Sequence, residues 1–435
     1  MEYERLLSKY NYAELRIERG SESRTTIKDD EVRHSTGTRY GASVRVLESG
    51  SWGFASSSSG EDVSVLLEKA KRLAALNSGK IQISIPPTIK KEIIEKGNGP
   101  DEEEQMKALA GLSMEMKGSK ITSRNVSCSD AIIRKEFYNS RGSEIVQENA
   151  YTFLSCSCIA KDGPVMQKGS DRSSSRKGFA GLKLQETAIE AKDKALRLLG
   201  AAPPPRGRFT VVFDHEMTGV FAHEALGHAC EADSVLEKES ILTDKLGKRI
   251  GNELVTVVDD PTADDFGRYA YDDEGVAGKP AMLIEKGVLK SYLNSIETSH
   301  ALNLTFNGHA RADGYSQAPI VRMSNTYFQR GTSKEDEVFD IRSGYYLKGM
   351  KGGSVDIFSG GFMFKSEEAY EIKDGKKAGL IRDVTITGNI LQTMLDVECV
   401  GDDFGTSPGI CGKFSQDAPV SDGGPHIRVK NVAIG

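Results

Sequence analysis

Two histidines and a glutamate lie close together in the stretch FAHEALGHACEAD, residues 221–233. His223 and His228 enclose Glu224 in the spacing HExxxH, which is one residue longer than the HExxH pattern of many zinc proteases. Imidazole nitrogens are common zinc ligands, and a glutamate beside them is the residue type that takes a proton from water during hydrolysis. The stretch therefore predicts a catalytic metal site, with two unrelated histidines on a buried helix as the alternative.

The extra residue in this spacing conflicts with a regular helix. At about 100° per residue, five residues place the two imidazoles about 140° apart, so they cannot bind one ion on a regular α-helix. A one-residue bulge, or unwinding at Gly227, would bring them together, because glycine tolerates unusual dihedral angles. Glycine inside a helix also costs about 1 kcal/mol relative to alanine, so the backbone should need it there. We predict a distorted turn immediately before His228.

A catalytic zinc site also needs a third protein ligand and one open position. The nearby candidates are His215, Cys230, Glu231 and Asp233, and the distant ones are His300, His309, Cys399, Cys411 and His426. His215 lies two turns before His223 and is not expected to reach the same ion. Cys411 lies in SPGICGKFSQ, where the flanking glycines predict a turn that lets a thiolate approach a metal. The residue types alone do not decide between Cys411, His309 and His426.

The residues around the motif predict the elements that position it. RFTVVF, residues 208–213, is typical of a buried strand. Asp214 is a favourable N-cap, so we expect a helix from about His215 to Ala229. Further strands are predicted at LVTVVDD, AMLIEKGVLKSYLN, PIVRMSNTYFQ, GGSVDIFSGG, FMFKSEEAYEIKDGK, AGLIRDVTITG and HIRVKNVAIG. This half therefore predicts a curled antiparallel sheet or partial barrel, with the metal-binding helix packed against it.

Helices and strands also alternate in the N-terminal half. EYERLLSKY predicts a short helix, and the strand-like runs after it predict an antiparallel meander with turns at Gly20 and at residues 29–30. IQISIPPTIKKE predicts a linker, because Pro86 and Pro87 cannot continue a strand or a helix. Further helices are predicted at DVSVLLEKAKRLAALN, DEEEQMKALAGLSMEMKG and LKLQETAIEAKDKALRLLG, with strands between residues 120 and 170.

The sharpest change in composition is AAPPPRGR, residues 201–208, where we place a domain boundary. The sequence predicts an α+β N-terminal domain at 1–85 and an α+β central domain at 100–200. A strand-rich C-terminal domain at 206–435 carries the metal-binding helix. The predicted fold class is therefore α+β, with a mixed helix and antiparallel-sheet region followed by the strand-rich domain.

Composition and charge narrow the function further. The 435 residues include 63 acidic and 57 basic side chains, and this net charge of −6 argues against direct nucleic-acid binding. The sequence has no apolar run of about 18 residues that would predict a membrane span, and MEYERLLSKY does not have the pattern of a secretory signal. We therefore expect a cytoplasmic protein. Its six cysteines do not indicate a disulfide framework, so most should be reduced and buried.

The chain resembles the TldD/PmbA family over nearly its whole length. The matching segments occur in the family's order and are GASVRVLESGSWGFAS, GVFAHEALGHACEAD, VTVVDDPT, YDDEGVAGKPAMLIEKGVLKSYL, RMSNTYF, GGSVDIFSGGFMFKSEEAYEI and PGICGK. The presence of HEALGH makes the chain resemble the TldD branch of this family. The PmbA (TldE) branch resembles TldD in fold but lacks the metal motif.

The resemblance implies a zinc-dependent peptidase. His223, His228 and Cys411 would bind Zn²⁺, and Glu224 would be the base that activates a zinc-bound water. The resemblance also implies a homodimer, or a heterodimer with a TldE/PmbA-type paralogue, whose enclosed chamber admits short or unfolded peptides. An older family name suggests gyrase modulation, but the acidic charge of this chain argues against a direct DNA activity.

A non-enzymatic assembly or regulatory protein with a structural zinc site is the alternative function. A structural site would have four protein ligands, with Cys230 or His309 as the fourth. Otherwise we expect Cys230 to pack in the core and His309 to lie in a surface loop. The acidic loop YDDEG, residues 271–275, would line the substrate cleft or bind a peptide amine, unless it is only solvated.

Overall fold

Long strands and short helices build the protein, and the computed structural model describes residues 2–95 and 101–435. The fold is α+β, as predicted. The helices of the N-terminal half are α1 (Glu2–Leu7), α2 (Val63–Ala75), α3 (Glu102–Glu115) and α4 (Leu184–Leu198), with a 3₁₀ turn at Phe179–Gly181. Its strands are β1 (Tyr12–Lys28), β2 (Glu31–Glu48), β3 (Ser51–Ser57), β4 (Lys90–Ile94), β5 (Ile121–Asn139), β6 (Glu144–Asp162) and β7 (Val165–Ser175).

One seven-stranded sheet contains all of these strands. Its order is β3-β2-β1-β5-β6-β4, and β7 also pairs with β6. The antiparallel pairing of β1 with β5 joins the predicted 1–85 and 100–200 regions in a single sheet. The division of the chain into three domains stays a prediction.

Amphipathic helices cover the apolar side chains of this sheet. Leu66 and Ala70 of α2 pack against Leu15 of β1. Ala191 of α4 packs with Leu154 of β6 in a separate core. Because apolar residues recur at helical spacing in these segments, the sequence predicted the helices correctly.

One prediction for the N-terminal half is wrong, and another is correct only in part. Gly20 does not form a turn: β1 runs straight through it, with Arg39 of β2 opposite on one side and Ile133 of β5 on the other. Pairing on both sides stabilises an extended backbone even at glycine. Residues 81–89 of the predicted linker IQISIPPTIKKE have no helix or strand, as predicted, but its last three residues belong to β4, which pairs in parallel with β6.

The C-terminal half contains the following elements in chain order. The first are β8 (Gly207–Phe213), α5 (His215–Val220), a π-helical turn (Phe221–Gly227), a 3₁₀ turn (His228–Cys230), α6 (Ala232–Leu236), β9 (Val257–Asp259), β10 (Ala281–Glu285), β11 (Val288–Leu289), α7 (Ile296–Ala301), β12 (Ala310–Arg311), β13 (Ile320–Val321) and β14 (Asn325–Phe328). The remainder are α8 (Glu335–Phe339), β15 (Ser343–Asp356), β16 (Gly361–Lys373), β17 (Lys376–Ile381), β18 (Thr385–Asn389), α9 (Ile390–Leu395), β19 (Val397–Val400), β20 (Gly405–Lys413), β21 (Gln416–Gly424) and β22 (Ile427–Ile434).

Five of these strands close into a partial barrel, as predicted. β15 pairs with both β8 and β16, and β22 and β18 complete the circuit between them. Phe213 of β8 packs against Phe221, which lies on the helix that follows β8. Phe221 also packs against Phe362 of β16, so the barrel wall anchors this helix.

A second, mixed sheet positions the C-terminal cysteine. Its order is β11-β10-β9-β14-β21-β20, so β20 lies at one edge. Cys411 lies within β20 and not in a turn, which corrects the prediction from its flanking glycines. The turn contains only Phe414 and Ser415, both with positive φ, as a two-residue hairpin requires. Pro408 is compatible with β20 because an edge strand does not need every backbone N–H.

Within residues 2–95 and 101–435, no helix is both long enough and apolar enough to cross a membrane.

Candidate metal centre

The helix that carries the two histidines begins as predicted and then changes its winding. Asp214 is the N-cap of α5, and its side chain accepts a hydrogen bond from the Met217 backbone N–H at 2.8 Å. The π-helical turn follows directly, and the His228 backbone N–H donates to the His223 carbonyl oxygen five residues earlier. This hydrogen bond brings the two residues together, with their ring centroids 5.3 Å apart. The predicted distortion before His228 is confirmed.

The reason for glycine at position 227 differs from the one predicted. Gly227 has φ −58° and ψ −55°, which any residue adopts in a helix. A Cβ at this position would lie 1.9 Å from the sulfur of Met323. Close packing against the Met323 side chain, rather than an unusual dihedral angle, therefore accounts for glycine here.

The structure places Cys411 beside the histidine pair. Its sulfur lies 3.5 Å from Nε2 of His228, and the donor atoms of His223, His228 and Cys411 all lie within 4.8 Å of one another. A sulfur and a nitrogen bound tetrahedrally to one zinc ion would be about 3.6 Å apart, given usual bond lengths. Two imidazoles and a thiolate are also the ligand types that zinc prefers. The residues therefore fit a zinc ion in both spacing and chemistry.

The charges in this cluster suit a metal ion. Burial alone would raise the pKa of the Cys411 thiol, but the charge of His223 and hydrogen bonds from both histidines lower it to about 5. Conversely, burial would lower the pKa of His223, but the Cys411 thiolate raises it to about 9. The Cys411 thiolate is therefore already deprotonated, and a divalent cation can replace the imidazolium proton that balances its charge.

A buried carboxylate fixes the orientation of His228. Glu231 is fully buried, and its Oε2 lies 3.0 Å from Nδ1 of His228. Lys413 binds the same carboxylate at 3.1 Å and also binds Asp233 at 2.7 Å. Because Nδ1 is engaged, Nε2 of His228 is the nitrogen that faces Cys411. This carboxylate–histidine arrangement is typical of protein metal sites.

Glu224 differs from Glu231 in exposure and position. Its side chain is 43% exposed, and its Oε2 lies 3.8 Å from Nε2 of His228, on the side of the ring that faces the cluster. A carboxylate so placed can reach both the cluster and solvent.

The sequence analysis missed three residues around the cluster. Lys413 and Met323 act through the contacts described above, and a single chain sequence gives no signal for either. Asp422 of β21 is also buried, and burial raises the pKa of its carboxyl to about 7, although His223 lowers it. Its Oδ1 has no hydrogen-bond partner among the described residues. Glu231 was considered only as a ligand, and the structure instead gives it an orienting position.

The remaining candidate ligands lie elsewhere. His309 is fully buried, with its ring nitrogens 2.9 Å from Asp259 and 2.9 Å from Asn307, so the predicted surface loop is wrong. Cys230 packs in the core, as expected, and burial raises its pKa. His215 and His426 lie together in a second cluster with Asp403. All six cysteines are free and buried, as expected.

The acidic loop YDDEG is neither solvated nor free to bind an amine. Asp273 binds Lys135 of β5 at 2.9 Å, and Glu274 binds Arg45 of β2 at 2.6 Å. Asp272 accepts hydrogen bonds from three backbone N–H groups of the C-terminal half. These buried contacts join the N-terminal sheet to the C-terminal half.

Comparison with known proteins finds matches to one protein family along most of the chain. Residues 206–435 match the PmbA/TldA metallopeptidase C-terminal domain, residues 95–199 match the central domain of that family, and residues 13–74 match its domain 1. This chain belongs to the PmbA/TldD metallopeptidase family. The three matches cover most of the sequence, and they include both the histidine motif and Cys411.

Individual relatives agree with the PmbA/TldD assignment. A metalloprotease of Methanothermobacter thermautotrophicus is 40% identical over 98% of this chain and 95% of its own length. A Saccharolobus solfataricus protein named zinc metalloprotease TldD homolog is 31% identical over 98% of this chain and 96% of its own length. The solved structure of TldE from Thermococcus kodakarensis has the same fold, with a TM-score of 0.79 at 20% identity over 100% of this chain and 99% of TldE.

Proposed function

We propose that this metallopeptidase binds one zinc ion through His223, His228 and Cys411 and hydrolyses peptide bonds in short or unfolded peptides. The observation that carries the proposal is that His223 of the π-helical turn and His228 of the 3₁₀ turn after it meet Cys411, which lies on a strand far away in sequence. The relative named zinc metalloprotease TldD homolog supports zinc as the ion.

Glu224 acts as the general base in this proposal. When bound, zinc supplies the Lewis acidity that activates water and polarises the peptide carbonyl. The Glu224 carboxylate takes a proton from the attacking water and passes it to the leaving amine. Its partial exposure and its distance of 3.8 Å from His228 suit both transfers. Glu231 holds the His228 ring in place throughout, because it is buried and bound to Nδ1.

A structural zinc site has less support. Such a site needs four protein ligands, but no fourth histidine, cysteine, aspartate or glutamate joins the cluster among the residues that the structure describes. His309, which was one candidate for the fourth position, has both ring nitrogens engaged by other side chains.

The position of β20 suggests how a peptide would be held. Among the described strands, β20 pairs only with β21, so no further strand occupies its outer edge, although the Arg322 side chain binds the Cys411 carbonyl oxygen. Main-chain pairing along this edge would place an extended peptide beside Cys411 whatever the sequence of the peptide. We propose that a second copy, or a TldE/PmbA-type paralogue, encloses this edge in a chamber that excludes folded proteins. The fold shared with TldE is consistent with such a pairing of paralogues.

Digestion of an unfolded peptide tests the proposed base. Glu224→Gln should keep zinc, because Glu224 is not a ligand, and should lose about 100-fold or more in cleavage rate. Glu239→Gln removes the same charge from an exposed position in the same region and should leave the rate unchanged. Products are followed by mass spectrometry, and zinc is measured on the same samples. Cleavage by Glu224→Gln at the wild-type rate would exclude Glu224 as the base.

A further inference from the structure

Three side chains with metal-ligating atoms meet at a second place in the C-terminal half. His215, at the first position of α5, has its Nε2 2.7 Å from Oδ2 of Asp403. Nδ1 of His426 is hydrogen-bonded to the same oxygen. The potential ligand atoms of these three residues all lie within 4.8 Å of one another. Both imidazoles therefore converge on one carboxylate oxygen.

The backbone around this cluster leaves room for it. A Cβ at Gly405 would lie 2.8 Å from the ring of His215, and a Cβ at Gly401 would lie 2.5 Å from Oδ1 of Asp403. The His426 backbone N–H donates to Oδ1 of Asp403 at 3.1 Å, which holds the carboxylate against the imidazole. The two glycines and this hydrogen bond form a site built to fit the three side chains.

Tyr346 contacts the ring nitrogen of His426 that does not face Asp403. The Tyr346 hydroxyl lies 3.1 Å from Nε2 of His426, where it can accept a hydrogen bond from the Nε2–H group when Nδ1 binds a metal.

We propose that His215, Asp403 and His426 form a second binding site for a first-row divalent cation such as Zn²⁺. Two imidazoles and one carboxylate suit zinc and its neighbours better than calcium or magnesium, which prefer oxygen ligands. The side chains of His215 and Asp403 are 35% and 38% exposed, so an ion can enter from solvent and keep water as a further ligand.

The positions of the three ligands in the fold determine what a bound cation would do. His215 lies on the helix that leads to His223, and Asp403 lies just before β20, the strand that carries Cys411. A cation bound to both would connect the two elements that carry the first centre, which consists of His223, His228 and Cys411. This role does not depend on the identity of the first centre's substrate, and the site can be tested separately from the proposed peptidase activity.

Zinc stoichiometry tests the proposal. Full-length chain without a polyhistidine tag is stripped with chelator, incubated with zinc, freed of excess metal and analysed for zinc per chain. We expect about two zinc ions in the wild type, about one in Asp403→Asn, about one in Cys411→Ser and almost none in the double variant. Asp402→Asn is the matched control, since Asp402 pairs with Lys334 at the surface and should leave the count at two.

Stability in chelator and in zinc separates lost binding from lost folding. The unfolding temperatures of Asp403→Asn and His426→Gln in chelator, when both sites are empty, give the baseline for each variant, because both substitutions remove hydrogen bonds within the cluster. In a Cys411→Ser background, zinc should raise the unfolding temperature, and adding Asp403→Asn should abolish that rise. One zinc per wild-type chain that persists in Asp403→Asn and His426→Gln would overturn the second site. Loss of zinc only in the Asp403 variant would instead contradict the first centre.

Discussion

Two glutamates flank His228, and their surroundings give them different tasks. Glu231 is 1% exposed and is held by His228 and Lys413, so it has no freedom to carry protons to solvent. Glu224 is 43% exposed and makes only a long contact with the ring. At the scale of single residues, burial therefore separates the carboxylate that orients a ligand from the one that can act as a base.

Glu231→Gln tests the orienting role. The amide can still accept a hydrogen bond from Nδ1 of His228, but it removes the negative charge that makes the imidazole a stronger ligand. We expect zinc affinity to fall by about 10-fold to 100-fold, measured by competition with a chromophoric chelator. Glu239→Gln, which removes an exposed charge nearby, should leave the affinity unchanged. Equal affinities for Glu231→Gln and wild type would show that His228 does not depend on this carboxylate.

At the scale of elements, the centre depends on one π-helical turn packed against the segment that contains Met323. Gly227→Ala would place a methyl group 1.9 Å from the Met323 sulfur. We expect this overpacking to lower the free energy of unfolding by about 1–3 kcal/mol in urea titrations, and to weaken zinc binding because His228 must move.

Gly111 provides the matched control for that substitution. It also lies in a helix, α3, but a Cβ there would meet no atom within 4 Å. Gly111→Ala should therefore raise the free energy of unfolding by about 0.5–1 kcal/mol, because alanine loses less conformational entropy than glycine in a helix. If both alanine variants change stability alike, contact with Met323 is not the reason for Gly227.

The sequence predicted local features of the centre and missed the distant ones. The helix and its distortion were predictable, because the number of residues between His223 and His228 fixes the angle between their side chains around a regular helix. The strand that carries Cys411 was not, because its extended form comes from pairing with β21 across a hairpin. Only the family resemblance selected Cys411 over His309 and His426. The interpretation of Gly227 failed because Met323 approaches it from far away in sequence.

At the scale of the whole molecule, buried ion pairs hold the N-terminal sheet against the C-terminal half. Asp273→Asn leaves Lys135 and Arg16 without their buried counter-ion. We expect this variant to lose about 3 kcal/mol or more in the free energy of unfolding by chemical denaturation. Asp264→Asn breaks an exposed pair with Arg268 and should cost less than about 1 kcal/mol. Similar losses in both variants would contradict a joining role for Asp273.

The pH dependence of stability gives a second test of this pair. Burial alone would raise the pKa of Asp273, but Lys135 and Arg16 lower it below its usual value. The carboxylate therefore stabilises the fold above the ordinary aspartate pKa of about 3.9, and this contribution is lost as pH falls through the lower folded value. The wild type and Asp273→Asn should differ most near neutral pH and converge in acid. A difference that grows in acid would contradict this assignment.

Zinc X-ray absorption is the most direct measurement of the proposed centre, in which His223 of the π-helical turn, His228 of the 3₁₀ turn after it and Cys411 of β20 hold one ion. With one zinc per chain, we predict one sulfur at about 2.3 Å and nitrogen ligands at about 2.0–2.1 Å. The sulfur should disappear in Cys411→Ser and remain in Glu224→Gln. A wild-type spectrum without sulfur, or a sulfur that persists in Cys411→Ser, would contradict the centre proposed for this metallopeptidase.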